Sequence, residues 1–275
     1  MPTAAFLAAY DAVLAQWPVP FEAVDVASPH GATHVTICGP ADAQPLVLLP
    51  GGGATSAVWI ANVEAFSRDH RVYAVDVPCD AGRSVHNGRP FRGHADLMTW
   101  LDSLFVHFGL TDAHLCGHSY GAAIALGYAI HSPRVSKLVL LDPTRCFAGL
   151  KPTYLLHALP LLLKPTPQRQ RDHLRWETGG LALNPAWLEL TALAAPEFPA
   201  AKVARTQRPR LDQLRTPTLV LLAEHSKAHD IHRVDANAHR SVPHIVSAVL
   251  PGVSHHSIPM HNPADLNDAV TEFVR

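Results

Sequence analysis

The side chain best placed for chemistry in this sequence is Ser119, at the centre of residues 117–121, which read Gly-His-Ser-Tyr-Gly. A short apolar run precedes this G-x-S-x-G motif, and a helix-forming run over residues 122–129 follows it. A serine between a strand and a helix lies on a sharp turn, and the flanking glycines let the two elements approach closely. The helix directs free N–H groups and its positive dipole end towards the serine oxygen. The pattern therefore predicts Ser119 as a nucleophile.

A second glycine-rich stretch could supply hydrogen-bond donors to such a nucleophile. Residues 50–54 read Pro-Gly-Gly-Gly-Ala, after an apolar run typical of a strand buried on both faces. Backbone without side chains can turn an N–H towards a developing oxyanion. We predict that the N–H groups of Gly52 and Tyr120 form an oxyanion hole. Gly53, His118 and Trp59, which begins the next predicted helix, are predicted to line the substrate pocket.

The elements that must position these residues alternate between strands and helices. Apolar runs predict strands that end near residues 49, 76, 116, 142, 223 and 250, a hairpin over 21–38, and helices over 3–17, 93–108, 120–129 and 263–273. This order predicts a mostly parallel sheet flanked by helices, with the site at the carboxyl ends of the strands.

Residues 147–212 interrupt the alternation with many prolines and leucine-rich helical pieces. The segment is too long for a connection and too apolar for a disordered linker, so it predicts an inserted helical cap. The predicted division is a first core part (1–146), the cap (147–212) and a second core part (213–275). Leu155 and Trp176 of the cap are predicted to contact an apolar, small-molecule substrate.

Composition excludes several classes of function. The chain has 275 residues, 48% hydrophobic and 16% charged, with a net charge of −1, which gives no indication of binding to nucleic acid or to an anionic membrane surface. No apolar run is long enough to span a bilayer, no signal peptide is evident, and four scattered cysteines suggest free thiols in the cytoplasm. No metal-binding spacing stands out, so neither a metal nor a cofactor is predicted. The sequence gives no indication of oligomeric state.

Taken together, these motifs resemble the α/β-hydrolase superfamily, in its branch of small bacterial esterases that carry a cap. The resemblance covers roughly residues 21–275. It rests on the glycine run leading to Trp59, the run 75–84 ending in Gly-Arg-Ser, the G-x-S-x-G motif, the strand over 138–143, and a Leu-Pro-Gly run leading to two histidines at 255 and 256. The family implies a serine nucleophile, a histidine base and an acid that orients the histidine.

The resemblance leaves the base between two adjacent histidines. The residue before the family's histidine is usually small, and Ser254 before His255 satisfies that pattern. Residues 256–263, however, fit the family's H-x-x-P-x-E-x-P run better. The predicted base is therefore His256, with His255 as the alternative.

The acid is where the sequence departs from the family. Ser226 occupies the position at which the family usually has an aspartate, and a serine cannot stabilise an imidazolium by charge. Asp142, Asp230 and Glu224 could substitute. Asp142 is preferred, because strand ends in a parallel sheet lie at the same edge as the predicted nucleophile.

These residues predict a serine hydrolase that cleaves a small ester or related acyl compound through an acyl-enzyme. Thioesterase, lactonase, C–C hydrolase and perhydrolase activities remain open, because one fold can host them all. A ligand-binding or regulatory protein on the same fold is the alternative from another class, prompted by the missing aspartate at position 226.

Overall fold

The computed structural model describes residues 2–198, 206 and 210–275, and at its centre is a mostly parallel β-sheet. The strands in the described residues are β1 (Phe21–Ser28), β2 (Gly31–Cys38), β3 (Gln44–Leu49), β4 (His70–Val75), β5 (Val85–His86), β6 (Ala113–His118), β7 (Val135–Leu141), β8 (Thr218–Ala223) and β9 (Val246–Leu250). They lie in the order β1-β2-β4-β3-β6-β7-β8-β9, with β5 paired to β2. Strand β2 is antiparallel to its three neighbours, and all pairs from β4 to β9 are parallel.

Helices cover both faces of the sheet. They are α1 (Ala4–Leu14), α2 (Val63–Phe66), α3 (His94–His107), α4 (Tyr120–His131), α5 (Pro152–Leu163), α6 (Pro167–Glu177), α7 (Pro185–Glu197), α8 (Ile231–Ser241) and α9 (Pro263–Val274). Along β3, Val47 and Leu49 face a buried cluster that includes residues of α3, α4 and α8, whereas Leu46 and Leu48 face one that includes residues of α1, α2 and α9. Since alternate side chains enter opposite clusters, both faces need apolar residues, which explains the uninterrupted apolar run.

The pairing register of β6, β7 and β8 brings the carboxyl ends of these neighbouring strands to one edge of the sheet. His118 of β6 pairs with Leu141 of β7, and Leu141 pairs with Leu221 of β8. The residues that follow these strands therefore emerge beside one another. Ser119 and Asp142 are the first residues after β6 and β7.

The glycines around Ser119 are required by close packing of backbone. A Cβ atom on Gly117 would lie 2.4 Å from the carbonyl oxygen of Gly121, and a Cβ on Gly121 would lie 2.4 Å from that of Pro50. Either side chain would push α4 away from the sheet, so these two positions exclude larger residues.

Between β7 and β8 the chain forms α5, α6 and α7, which we call the cap helices. Helix α7 also packs against α1, so the inserted segment is tied to the amino-terminal helix. Residues 199–205 and 207–209 of the predicted cap lie outside the described residues, and the three-part division of the chain stays a prediction. The sequence reasoning did not identify α8. No helix in the described part of the chain is long and apolar enough to cross a membrane.

Candidate active site

Ser119 sits at the turn between β6 and α4 in a strained backbone conformation. Its φ of 52° and ψ of −109° lie outside the regions that non-glycine residues favour. Such conformations cost on the order of 1–3 kcal/mol and persist where the surrounding structure fixes them. Here the Ser119 N–H donates to the carbonyl oxygen of Leu141 at 2.9 Å, and its carbonyl oxygen accepts from Ala123 in α4. The hydroxyl is thus held at the edge where the strands end.

His255, rather than His256, contacts the serine. The Nε2 atom of His255 lies 2.8 Å from Ser119 Oγ, and its Nδ1 atom lies 2.6 Å from Asp142 Oδ2. An ionised carboxylate only accepts hydrogen bonds, so Nδ1 carries the hydrogen and Nε2 is left to accept from the serine hydroxyl. Burial lowers the pKa of His255 even though Asp142 opposes the change, which keeps the imidazole neutral and able to take a proton.

The choice of His256 on sequence spacing was therefore wrong about the contact with Ser119. The two adjacent rings stand 82° apart, and His256 faces Glu177, with its Nδ1 atom 3.2 Å from Glu177 Oε2. The turn after β9, in which Ile258 donates to the Ser254 carbonyl oxygen, directs consecutive side chains to different sides. If the family's H-x-x-P-x-E-x-P run is aligned one residue too late, His256 is chosen as the base in place of His255.

Asp142 is the carboxylate that meets His255, and it is completely buried. It accepts hydrogen bonds from four groups: His255 Nδ1 at 2.6 Å, Ser226 Oγ at 2.7 Å, His229 Nε2 at 2.9 Å and the Ala223 N–H at 3.1 Å. Burial alone would raise the pKa of Asp142, but the hydrogen bonds from His229 and His255 outweigh it and hold the pKa well below its ordinary range. The carboxylate therefore stays charged.

The other two candidate acids are occupied elsewhere. Asp230 is exposed and caps α8, where its side chain accepts from the Arg233 N–H at 3.1 Å. Glu224 is also exposed, and its carboxylate accepts from the Gly252 N–H at 2.8 Å. Neither has a hydrogen bond to His255 in the described structure.

Sequence reasoning missed the roles of Ser226 and His229 around this acid. Ser226 occupies the position where an aspartate was expected, and its hydroxyl donates to Asp142 instead. His229 is fully buried, and its Nε2–H donates to the other carboxylate oxygen. The only signal in the sequence was a serine and a histidine at or near the position of the missing aspartate. Their partner, Asp142, is distant in the chain.

The glycine run packs against the turn that carries Ser119. A Cβ on Gly51 would lie 2.7 Å from His118 Nδ1, and one on Gly52 would lie 3.5 Å from Tyr120 Cβ. The Gly53 N–H donates to the buried carboxyl group of Asp80 at 3.0 Å, which fixes the loop. The Gly52 N–H has no hydrogen bond within the described part of the chain.

His118 and Glu177 hold the backbone of His255 from two sides. His118 Nε2 lies 2.8 Å from the His255 carbonyl oxygen, and burial together with the neighbouring histidines lowers the pKa of His118 to about 3. Being neutral, His118 donates through Nε2–H. The carboxylate of Glu177, the last residue of α6, accepts from the His255 N–H at 3.1 Å. Sequence reasoning assigned no function to Glu177.

A cavity of about 500 Å³ opens above Ser119 beneath the cap helices. Its lining includes Gly52, Gly53, Ser119, Tyr120, Leu155 and His255, together with mostly apolar residues of α5 and α7. It can therefore hold an apolar group beside the serine.

Three residues predicted to line the pocket do not do so in the described structure. Trp59 is fully buried in the core, within a 3₁₀ helix that begins at Ser56 rather than at the tryptophan. His118 lies below the cavity against the His255 backbone. Trp176 stacks on His157, with ring centroids 4.0 Å apart, and is absent from the cavity wall. Each of these side chains packs against other parts of the protein. Apolar or aromatic character alone does not distinguish a packing residue from one that lines a pocket.

Among the described residues, no group of three or more histidine, cysteine or acidic side chains is arranged to hold a metal ion.

Comparison with known proteins gives matches over most of the chain. A model of the alpha/beta hydrolase family matches residues 46–269. Carboxylesterase YbfK of Bacillus subtilis (strain 168) is 28% identical, over 98% of this chain and 93% of that protein.

Two crystal structures extend the comparison to three dimensions. Carboxylesterase CesB (YbfK) from Bacillus subtilis superposes with a TM-score of 0.90, at 28% identity, over 98% of this chain and 96% of that chain. Naproxen esterase (carboxylesterase NP) from Bacillus subtilis gives a TM-score of 0.87, at 27% identity, over 98% and 97%. Both relatives are thus matched over nearly their full length.

Proposed function

The chain belongs to the alpha/beta hydrolase family, and on that premise we propose that it is a serine carboxylesterase acting on small esters with an apolar part. One observation carries the proposal: His255 bridges Ser119 Oγ and Asp142 Oδ2 through its two ring nitrogens. A serine, a base and an orienting acid in this arrangement form the hydrogen-bonded series that activates a serine hydroxyl.

In the proposed acylation step, Ser119 Oγ attacks the ester carbonyl carbon while His255 Nε2 takes the hydroxyl proton. The carbonyl π electrons move to oxygen, and the N–H groups of Gly52 and Tyr120 bind the resulting oxyanion. As the tetrahedral intermediate collapses, His255 returns the proton to the leaving alkoxide, and the acyl group stays on Ser119. The negative charge of Asp142 stabilises the transient imidazolium.

Deacylation repeats these steps with water. His255 takes a proton from the water that attacks the acyl-enzyme, and the collapse of the second intermediate returns that proton to Ser119 Oγ. The acid is released, and no other reactant is consumed. The apolar wall of the cavity supports an apolar acyl or alcohol group as the part of the substrate that the cap helices select.

The observation that favoured the alternative, a binding protein without activity, no longer supports it. It was prompted by Ser226 in place of an acid, and Ser226 donates instead to Asp142, which supplies the charge. The four cysteines, all in the described residues, form no disulfide, which supports a cytoplasmic location as part of the proposal.

The test is hydrolysis of p-nitrophenyl esters of increasing acyl length by the wild type and by Ser119→Ala. We expect hydrolysis by the wild type, with a preference for chains that fill the cavity, and background rates for the variant. A folded wild type that hydrolyses no ester of the series, or a Ser119→Ala variant with wild-type kcat/KM, would contradict the proposal.

A further inference from the structure

Glu177 is a buried carboxylate that the proposed reaction does not use directly. It is the last residue of the cap helix α6 and is completely buried. No lysine or arginine forms an ion pair with it in the described structure. A buried charge without a cation is costly unless hydrogen bonds compensate for it, so its contacts require an explanation.

The hydrogen bonds that compensate for this buried charge come from Ser254, His255 and His256, three consecutive residues of the loop that follows β9, which we call the histidine loop. Glu177 Oε1 accepts from the His255 N–H at 3.1 Å, and Oε2 accepts from the His256 N–H at 3.0 Å and from the Ser254 hydroxyl at 2.8 Å. Burial raises the pKa of Glu177, but its contacts with the His256 side chain and backbone N–H outweigh burial and lower the pKa to about 2. The carboxylate is therefore ionised while it binds the backbone of the proposed base.

We propose that Glu177 is a positioning residue that couples the cap helices to the base: it fixes the His255 backbone so that the ring spans Ser119 and Asp142, and its charge adds to that of Asp142 in stabilising the imidazolium. The proposal rests on the function proposed above. His118 holds the His255 carbonyl oxygen from the core, so Glu177 supplies the opposite restraint, on the N–H, from the inserted segment.

A second contact fixes the same end of α6 to the core. The carbonyl oxygen of Trp176, next to Glu177, accepts a hydrogen bond from Lys227 Nζ, which also lies 4.9 Å from the centre of the Trp176 ring. Lys227 follows β8, and the histidine loop follows β9. The carboxyl end of α6 is therefore attached to two core loops, and displacing it would release the base.

Charge gives Glu177 an effect that a purely structural contact would lack. The titratable side chains that surround His255 are Asp142, Glu177, His118, His229, His256 and Tyr154. Of these, Asp142 and Glu177 raise the pKa of His255, and His256 lowers it. Removing the Glu177 charge therefore lowers the pKa of His255 further. The acid limb of the kcat/KM profile, which reports protonation of the base in the free enzyme, must then move to lower pH.

The test compares Glu177→Gln and Glu177→Asp with the wild type on the best ester of the chain-length series. For Glu177→Gln we expect kcat to fall by about 10- to 100-fold with a smaller change in KM, and the acid limb to move to lower pH. For Glu177→Asp, which keeps the charge but shortens the reach, we expect kcat to fall while the acid limb stays in place. Wild-type kcat with an unmoved acid limb in folded Glu177→Gln would overturn the proposal.

Glu189→Gln is the matched control, since Glu189 is an exposed cap carboxylate on α7 that pairs with Arg171. It should behave as the wild type. If Glu177→Gln does not fold, Glu177→Asp decides the positioning claim, and wild-type kcat in that variant refutes it. Failure of the proposed function would appear differently, as a wild type that is inactive on every ester.

Discussion

Replacing Asp142 by asparagine tests how the buried acid acts, because the structure limits how an amide can sit there. The carboxylate receives hydrogen bonds on both oxygens: Oδ2 from His255 and Ser226, and Oδ1 from His229 and the Ala223 N–H. An asparagine must turn an NH₂ group towards one of these pairs of donors. Either orientation removes the negative charge.

The two orientations have different costs. With NH₂ facing His255, Nδ1 must accept, the hydrogen moves to Nε2, and the imidazole can no longer take the proton of Ser119. With NH₂ facing the other side, His229 can change tautomer, but the Ala223 N–H is left without an acceptor, at about 1–3 kcal/mol. Loss of the correct tautomer in a comparable triad lowers kcat by about 10⁴-fold, so we expect a loss of about 10³- to 10⁴-fold, or about 4–5.5 kcal/mol in the transition state.

The assay is kcat/KM on an activated ester, with thermal unfolding measured to confirm that each variant is folded. Asp230→Asn is the matched control and should retain activity within about twofold, since Asp230 is an exposed helix cap. A folded Asp142→Asn enzyme with more than about a tenth of wild-type kcat/KM would refute this reasoning. If Asp230→Asn lost as much activity as Asp142→Asn, the assignment of Asp142 as the acid would be wrong.

Three further predictions concern the histidines, the partner of the acid and a buried carboxyl group. His255→Ala should lose about 10⁴-fold or more in kcat, because it removes the base, and His256→Ala no more than about tenfold; the reverse order in folded variants would restore the spacing argument. Ser226→Ala removes one hydrogen bond to a charged acceptor and should lower kcat by about tenfold, so an unchanged kcat would mean that this bond does not matter. Burial raises the pKa of Asp80 from 3.8 to about 7, so its contribution to stability is complete below about pH 4 and is lost as pH rises through about 7. We therefore compare the free energy of unfolding in urea of Asp80→Asn with that of the wild type at about pH 4 and at about pH 9. The difference should move in favour of the variant by up to about 4 kcal/mol at the higher pH, and the same difference at both pH values would contradict this.

The fold could be predicted because its signals are local. Apolar runs that must satisfy two faces of a sheet identified the parallel strands, and the strand end predicted near residue 223 coincides with the end of β8 (Thr218–Ala223). The G-x-S-x-G motif predicted the turn that carries Ser119. The predicted α/β-hydrolase fold and the hydrolase class are confirmed by the match of the family to residues 46–269 and by the carboxylesterase relatives.

The site was only partly predictable, because its contacts join distant parts of the chain. The position of Asp142 at a strand end followed from the geometry of parallel sheets, and it does lie against His255; its catalytic role stays a prediction. The choice between His255 and His256 depends on the turn after β9, which spacing does not reveal. Glu177 reaches the histidine loop from a helix 78 residues earlier in the chain, and no local pattern indicates such a contact.

The central claim is that His255 activates Ser119, and covalent labelling tests it most directly. We expect a fluorophosphonate probe to react rapidly with the wild type, and mass spectrometry of the digested protein to locate the adduct on Ser119. His255→Ala should slow the labelling by orders of magnitude, whereas His256→Ala should leave it close to the wild-type rate. Rapid labelling that is unaffected by His255→Ala, or an adduct on another residue, would contradict the account.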